Sequence, residues 1–214
     1  MRLVMPRLYV ILDAGLMTGS IEDTAQKLVE AGVLALQYRN KRGCARDVLA
    51  VASKLAGLVR PQGVLFFLND RPDIACLAGA SGVHVGQADL DVELAREVIG
   101  AESCIGVSTH NEAQFRAAMA TSADYIAVGP VFGTTTKENP DPVVGTEFIR
   151  RVRALTKKPI VAIGGITLER AAEVLEAGAD SVAVIGDILR SADPAQRAQQ
   201  FIRQLEAAKP TASH

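Results

Sequence analysis

Eight short apolar runs rich in β-branched residues recur along the chain: LYVIL from Leu8, VLALQY from Val33, VLFFL from Val64, GVHV from Gly82, CIGV from Cys104, YIAV from Tyr125, PIVAI from Pro159 and SVAVI from Ser181. Strands that are apolar almost without a break are buried on both faces, as in a parallel sheet. The intervals between them carry helical periodicity. Ser20 precedes Ile21, Ala25, Leu28 and Val29 on one face, with Asp23 in capping-box spacing and Gly32 as the stop. Thr167 opens Leu168, Ala171, Ala172 and Leu175 before Gly178, and Asp193-Pro194 starts a last helix with Phe201, Ile202 and Leu205 inward.

Strand then helix, eight times over, points to a single (β/α)8 TIM barrel spanning residues 1–214, with its active site at the C-terminal ends of the strands. A doubly wound open sheet is the alternative, but no GxGxxG marks a dinucleotide site. A related step from helix end into strand recurs in AGVLAL, ASGVHV, SADYIAV and AGADSVAV, and no linker divides the chain. With 18 Gly and 4% aromatic residues, the core has to be Val, Ile, Leu and Ala, with glycines at turns and close approaches.

A net charge of -1 without a basic stripe excludes nucleic acid or an anionic membrane as an obligatory partner. The apolar stretch ending before Asp13 is too short for a signal peptide or a membrane span, so a soluble cytoplasmic protein is expected. Cys44, Cys76 and Cys104 form no CxxC and read as packing or incidental residues. Residues Lys209 to His214 read as a disordered tail, and a homo-oligomer remains open.

Polar residues gather where the strands stop. Alternation along a strand aims Gln37, Arg39 and Lys41 into the barrel mouth, where the two cations suit phosphate oxygens, although a solvated loop start would read the same. Asp70 and Asp89 follow adjacent strands, and two carboxylates beside such cations fit Mg²⁺ completed by substrate phosphates and water. Taken singly, Asp70 could cap a turn before Pro72 and Asp89 the helix that begins near Asp91. His84 reads as a hydrogen-bonded inward histidine or, more sharply, a general base; Ser108 reads as a binding group and His110 stays open. The long polar connection from Gly133 to Pro142 has the make-up of a mobile active-site loop. Gly164-Gly165 and Gly186 offer backbone N–H groups to an anion, or simply make tight turns.

Taken in order, QYRNK at 37–41, NDRPD at 69–73, GVHVGQADL at 82–90, GVSTH at 106–110, VGPVFGTTTK at 128–137, AIGGI at 162–166 and VAVIG at 182–186 resemble the thiamine phosphate synthase family. The resemblance implies a barrel enzyme that joins 4-amino-2-methyl-5-hydroxymethylpyrimidine diphosphate to a thiazole phosphate, or its carboxylated form, and releases pyrophosphate by Mg²⁺-assisted dissociative substitution. It places Gln37, Tyr38, Arg39, Asn40, Lys41, Asn69, Ser108 and Lys137 on the pyrimidine diphosphate, Asp70 and Asp89 on Mg²⁺, and Thr134, Thr135, Thr136, Gly165, Ile185 and Gly186 around the thiazole phosphate. Arg39, Lys41 and Lys137 would neutralise the departing diphosphate. Gly186-Asp187 departs from the small polar then small apolar pair frequent in the family, which touches side-chain contacts to that phosphate. Two rivals use a similar pocket: a related tautomerase acting through a histidine such as His110, and a non-catalytic phosphometabolite binder.

Overall fold

A computed structural model describes residues 3–134 and 141–208. The tail 209–214 and the site candidates Thr135, Thr136 and Lys137 lie outside the described residues. Eight parallel strands close into one barrel in sequence order: β1 Leu8–Asp13, β2 Ala35–Arg39, β3 Leu65–Asn69, β4 Gly82–Val85, β5 Cys104–Thr109, β6 Tyr125–Val128, β7 Ile160–Ile163 and β8 Ser181–Val184. The β1–β8 pairing, Leu8 opposite Val182 and Val10 opposite Val184, closes the ring. The closed ring, with a helix after every strand, is the expected (β/α)8 barrel, and the open sheet is excluded.

The helices are α1 Ile21–Glu30, α2 Ala45–Val59, α3 Pro72–Ala78, α4 Val92–Ile99, α5 Glu112–Met119, α6 Gly145–Arg153, α7 Leu168–Glu176, a four-residue α8 Gly186–Leu189, and α9 Pro194–Ala207. Ser20 caps α1 by accepting the Asp23 N–H at 3.0 Å, and Asp193 caps α9 through Gln196 N–H at 3.0 Å. The α4 cap is Asp91 rather than Asp89, and Thr167 makes no capping bond to α7. Asp187 fills that place from β8's end, accepting the Leu168 N–H at 3.3 Å. Among the described residues no helix is long and apolar enough to cross a membrane.

Strand alternation sorts side chains into two layers. Leu8, Val10, Leu12, Leu36 and Tyr38 pack outward against the helices, while Tyr9, Ile11, Ala35, Phe67, Tyr125, Val161 and Ala183 fill the barrel. Three of the nine aromatic residues, Tyr9, Phe67 and Tyr125, meet inside the barrel. Cys104 is half-buried, but Cys44 and Cys76 are exposed. Cys76 thus corrects the packing expectation, because α3 turns Ile74 and Ala75 inward and rotates the next position away.

Gly106 shows how the interior is fitted. A Cβ there would stand 1.9 Å from Tyr125 Cζ, and that ring is hemmed in by Phe67 at 5.6 Å and His84 at 5.5 Å between centroids. Gly106→Ala is expected to cost about 2 kcal/mol of stability by overpacking. Thermal unfolding should show it as a Tm lower by roughly 4–8 °C; an unchanged Tm would mean that the ring has room to move.

Candidate active site

The C-terminal ends of the strands surround a cavity of about 770 Å³. One wall comes from β2, β3 and β4. Gln37 and Arg39 point inward from β2, as the alternation predicts, with Lys41 just beyond and Asn69 at the end of β3. Tyr38 and Asn40 do not join them. The Tyr38 ring is buried among the outer-layer side chains, and its hydroxyl accepts from Asn40 Nδ2 at 3.2 Å. Asn40 Oδ1 in turn accepts the N–H groups of Arg42 and Gly43, so it shapes the loop after β2.

Neither cation of this wall stands alone. Arg39 pairs with Asp13 at the end of β1, and Lys41 pairs with Asp70. Asp13 was not singled out in the sequence, where a single Asp after a strand resembles an ordinary loop start. Its carboxylate, also held by the Gly15 N–H at 2.9 Å, orients the guanidinium without closing its remaining donors.

Asp70 and Asp89 do converge. Asp70 takes a left-handed backbone, φ 62°, which brings its carboxyl to the mouth while its N–H bonds the His84 carbonyl at 2.8 Å. Asp89 Oδ2 accepts the Gly86 N–H at 2.8 Å, a tight turn that holds the second carboxylate on the same side. Burial, with the Asp89 carboxylate alongside, pushes the Asp70 carboxyl up to about 6 even though Lys41 works the other way. Two converging carboxylates, whose mutual repulsion the Lys41 contact offsets only in part, suit a hard divalent cation. No group of three or more acidic, His or Cys side chains forms a metal cage among the described residues, so such an ion would draw its other ligands from water and substrate.

Deeper in the cavity, His84 lies between two hydroxyls, with Nδ1 2.9 Å from the Tyr125 oxygen and Nε2 2.8 Å from Ser108 Oγ. Burial holds its pKa down to about 4, so the ring is neutral at pH 7. Ser108 lines the cavity, whereas its neighbour Thr109 points outward and donates to the Ala127 carbonyl at 2.9 Å. His110 also lines the cavity, with Nδ1 2.6 Å from the Gly129 carbonyl oxygen and Nε2 3.5 Å from Asp141.

The opposite wall comes from β6, β7 and β8 and is mostly backbone. Thr134, Gly164, Gly165, Ile185 and Gly186 line it. Asp187 lies there too, but its carboxylate is turned to α9, where Arg197 Nε and Nη2 grip it at 2.9 and 3.1 Å. Its charge is therefore already answered by Arg197, so at this departure from the family pattern the side chain serves α9 and the wall is left to backbone. Arg190 also reaches this wall. The sequence hid it, because only the single turn of α8 returns a residue so far past its strand to the mouth.

The family profile described as thiamine monophosphate synthase matches residues 8–188. A thiamine-phosphate synthase of Koribacter versatilis is 50% identical over 210 residues, covering 96% of this chain and 98% of that protein. One of Chloroflexus aurantiacus is 42% identical, covering 91% and 90%. A solved thiamine phosphate pyrophosphorylase from Pyrococcus furiosus superposes with a TM-score of 0.86 at 32% identity, covering 94% of this chain and 96% of its own. With its closed barrel, its two-walled cavity and full-length relatives on both sequence and structure, the chain belongs to the thiamine monophosphate synthase family of transferases.

Proposed function

We propose that the chain condenses 4-amino-2-methyl-5-hydroxymethylpyrimidine diphosphate with 4-methyl-5-hydroxyethylthiazole phosphate, or its carboxylated form, to give thiamine monophosphate and pyrophosphate, with CO₂ from the carboxylated form. The observation that carries this reading is the division of the cavity into a wall of cations and paired carboxylates and a facing wall of glycine backbone. The first wall suits a diphosphate and the second a monophosphate, one for each substrate.

Ser108 Oγ meets His84 Nε2 at 2.8 Å, but the other nitrogen of that ring meets the Tyr125 hydroxyl and not a carboxylate that would orient it as a base. His84 is neutral and engaged on both nitrogens, which suits a reaction that begins with loss of the leaving group. As the methylene C–O bond breaks, its electron pair leaves with the diphosphate, and the electron-rich aminopyrimidine stabilises the methylene cation that remains. The thiazole nitrogen then supplies the pair for the new C–N bond. Arg39 and Lys41 neutralise the charge growing on the diphosphate, Ser108 donates a hydrogen bond to it, and Lys137, from the β6–α6 connection, adds a further cation. Asn69 and Gln37 orient the pyrimidine end. Gly165, Ile185 and Gly186, with Thr134, Thr135 and Thr136, hold the thiazole phosphate, and Arg190 adds charge there. Mg²⁺, held by Asp70 and Asp89, would supply Lewis-acid neutralisation of the diphosphate oxygens.

Turnover with both substrates, with and without Mg²⁺, tests the reading. The expected result is release of pyrophosphate only when both substrates and the metal are present. A proton shift on thiazole phosphate alone would make the chain a tautomerase, and tight binding without turnover would make it a metabolite binder.

A further inference from the structure

Five side chains inside the barrel join in one hydrogen-bonded line from the β2 wall of the cavity to the β5 wall. Gln37 Nε2 donates to the Tyr9 hydroxyl at 2.8 Å, and the Tyr9 and Tyr125 hydroxyls lie 3.3 Å apart. The Tyr125 oxygen is 2.9 Å from His84 Nδ1, and His84 Nε2 is 2.8 Å from Ser108 Oγ. The rings in this line are locked in place: Tyr125 stacks on His84 at 22°, meets Phe67 edge-on at 79° and fills the space left by Gly106.

Hydrogen counting gives the line a direction. Each phenol has one hydrogen, and a neutral imidazole has one N–H. The Tyr9 oxygen receives the Gln37 N–H, so the Tyr9 hydrogen is left for Tyr125, and the Tyr125 hydrogen is left for His84 Nδ1. The imidazole proton must then sit on Nε2, where it is donated to Ser108 Oγ. Within the line no acceptor remains for the Ser108 hydrogen, and Ser108 lines the cavity.

We infer that this line is a one-way relay that holds His84 as its Nε2–H tautomer and keeps the Ser108 hydroxyl a donor toward an anionic oxygen in the cavity. His84 is then a positioning residue for Ser108 and not a base. Only the identity of the anion, a diphosphate oxygen, rests on the function proposed above. Reversal of the line would turn the Ser108 hydrogen onto His84 and present lone pairs to the anion, so direction matters for binding as well as for order.

Nitrogen NMR of the ¹⁵N-histidine-labelled full chain reads the tautomer directly, with the His84 signals assigned by their loss in His84→Gln. The expected spectrum has a protonated Nε2 and a bare Nδ1 in the ligand-free protein; the Nδ1–H form overturns the proposal. Calorimetry with inorganic pyrophosphate and Mg²⁺ supplies a second readout. His84→Leu should weaken binding about tenfold, while His84→Gln, whose amide can place an N–H near the Nε2 position, should stay within about threefold of wild type. Equal loss in both variants overturns the positioning role. A wild-type chain that shows the Nε2–H form yet does not bind pyrophosphate would leave the relay standing and sink the diphosphate reading.

Discussion

Asp70→Asn and Asp89→Asn are each expected to lower kcat by about a hundredfold or more, close to 2.7 kcal/mol of lost barrier reduction, and to raise the Mg²⁺ concentration needed for half-maximal rate. The geometry also separates a ligand from a merely structural carboxylate. In the metal-free protein the Asp70 carboxyl is raised from 3.8 to about 6, first by burial and then by Asp89. Across that interval the folded chain holds a proton that the unfolded chain releases, so stability falls as pH rises from about 4 to about 6 and stays lower above it. An amide has no such proton to lose. Metal-free Asp70→Asn should therefore be more stable than wild type above pH 6 while being far less active, a combination typical of groups held in place for function at a cost in stability. Denaturant unfolding at pH 4.5 and 7.5 in chelator, beside kinetics over a Mg²⁺ series, measures both. An unchanged Mg²⁺ dependence for either variant would remove that residue from the metal site, and equal loss of stability at both pH values would make Asp70 a turn-forming residue only.

The barrel was legible because its signal is repeated and local. Eight buried strands with helices between them leave few closed arrangements, and Ser20 and Asp193 cap the helices they were expected to open. The inward set Gln37, Arg39 and Lys41 was legible for the same reason, since strand period alone decides it. The same period turns Tyr38 outward, against what the resemblance alone implied for the whole QYRNK segment. Apart from the Asp70–Asp89 convergence, what could not be read was which side chains pair with one another. Asp13 meets Arg39 across the β1–β2 register, Asp187 meets Arg197 from α9, and Tyr125 on β6 meets His84 on β4, and nothing in their local sequence distinguishes those residues from ordinary loop or core positions. The Asp187 case shows what this costs. Beside Gly186 it reads only as a departure that touches side-chain contacts to the phosphate, whereas α9 supplies the guanidinium that occupies its carboxylate.

Gly165→Val is expected to abolish more than 99% of activity, and for a reason the sequence does not contain. Read from sequence, a side chain there would block only the approaching thiazole phosphate and spare the diphosphate. The structure puts another obstacle first: a Cβ at Gly165 would stand 2.3 Å from the Gly133 carbonyl oxygen and 2.9 Å from the Phe132 backbone carbon, on a backbone at φ 63°. The left-handed conformation costs a β-branched residue about 1–2 kcal/mol, and forcing the contact open adds about 1–3 more. Relief can come only by displacing the segment from Val131 to Gly133, which is tied to β7 through Val131 N–H to the Ile163 carbonyl at 2.9 Å and Phe132 N–H to the Gly164 carbonyl at 3.0 Å. That segment leads into Thr134 and onward to Lys137, so loss of diphosphate affinity should accompany loss of thiazole phosphate affinity. Because the clash begins at Cβ, Gly165→Ala should already show most of the defect. Gly133→Ala is the control, since a Cβ there meets nothing within 4 Å. Calorimetry with each ligand and thermal unfolding of the three variants decide the matter. If Gly165→Ala keeps near wild-type stability and both affinities while Gly165→Val loses only thiazole phosphate, then the glycine is there to admit the phosphate and the packing of the β6–α6 connection against β7 is incidental.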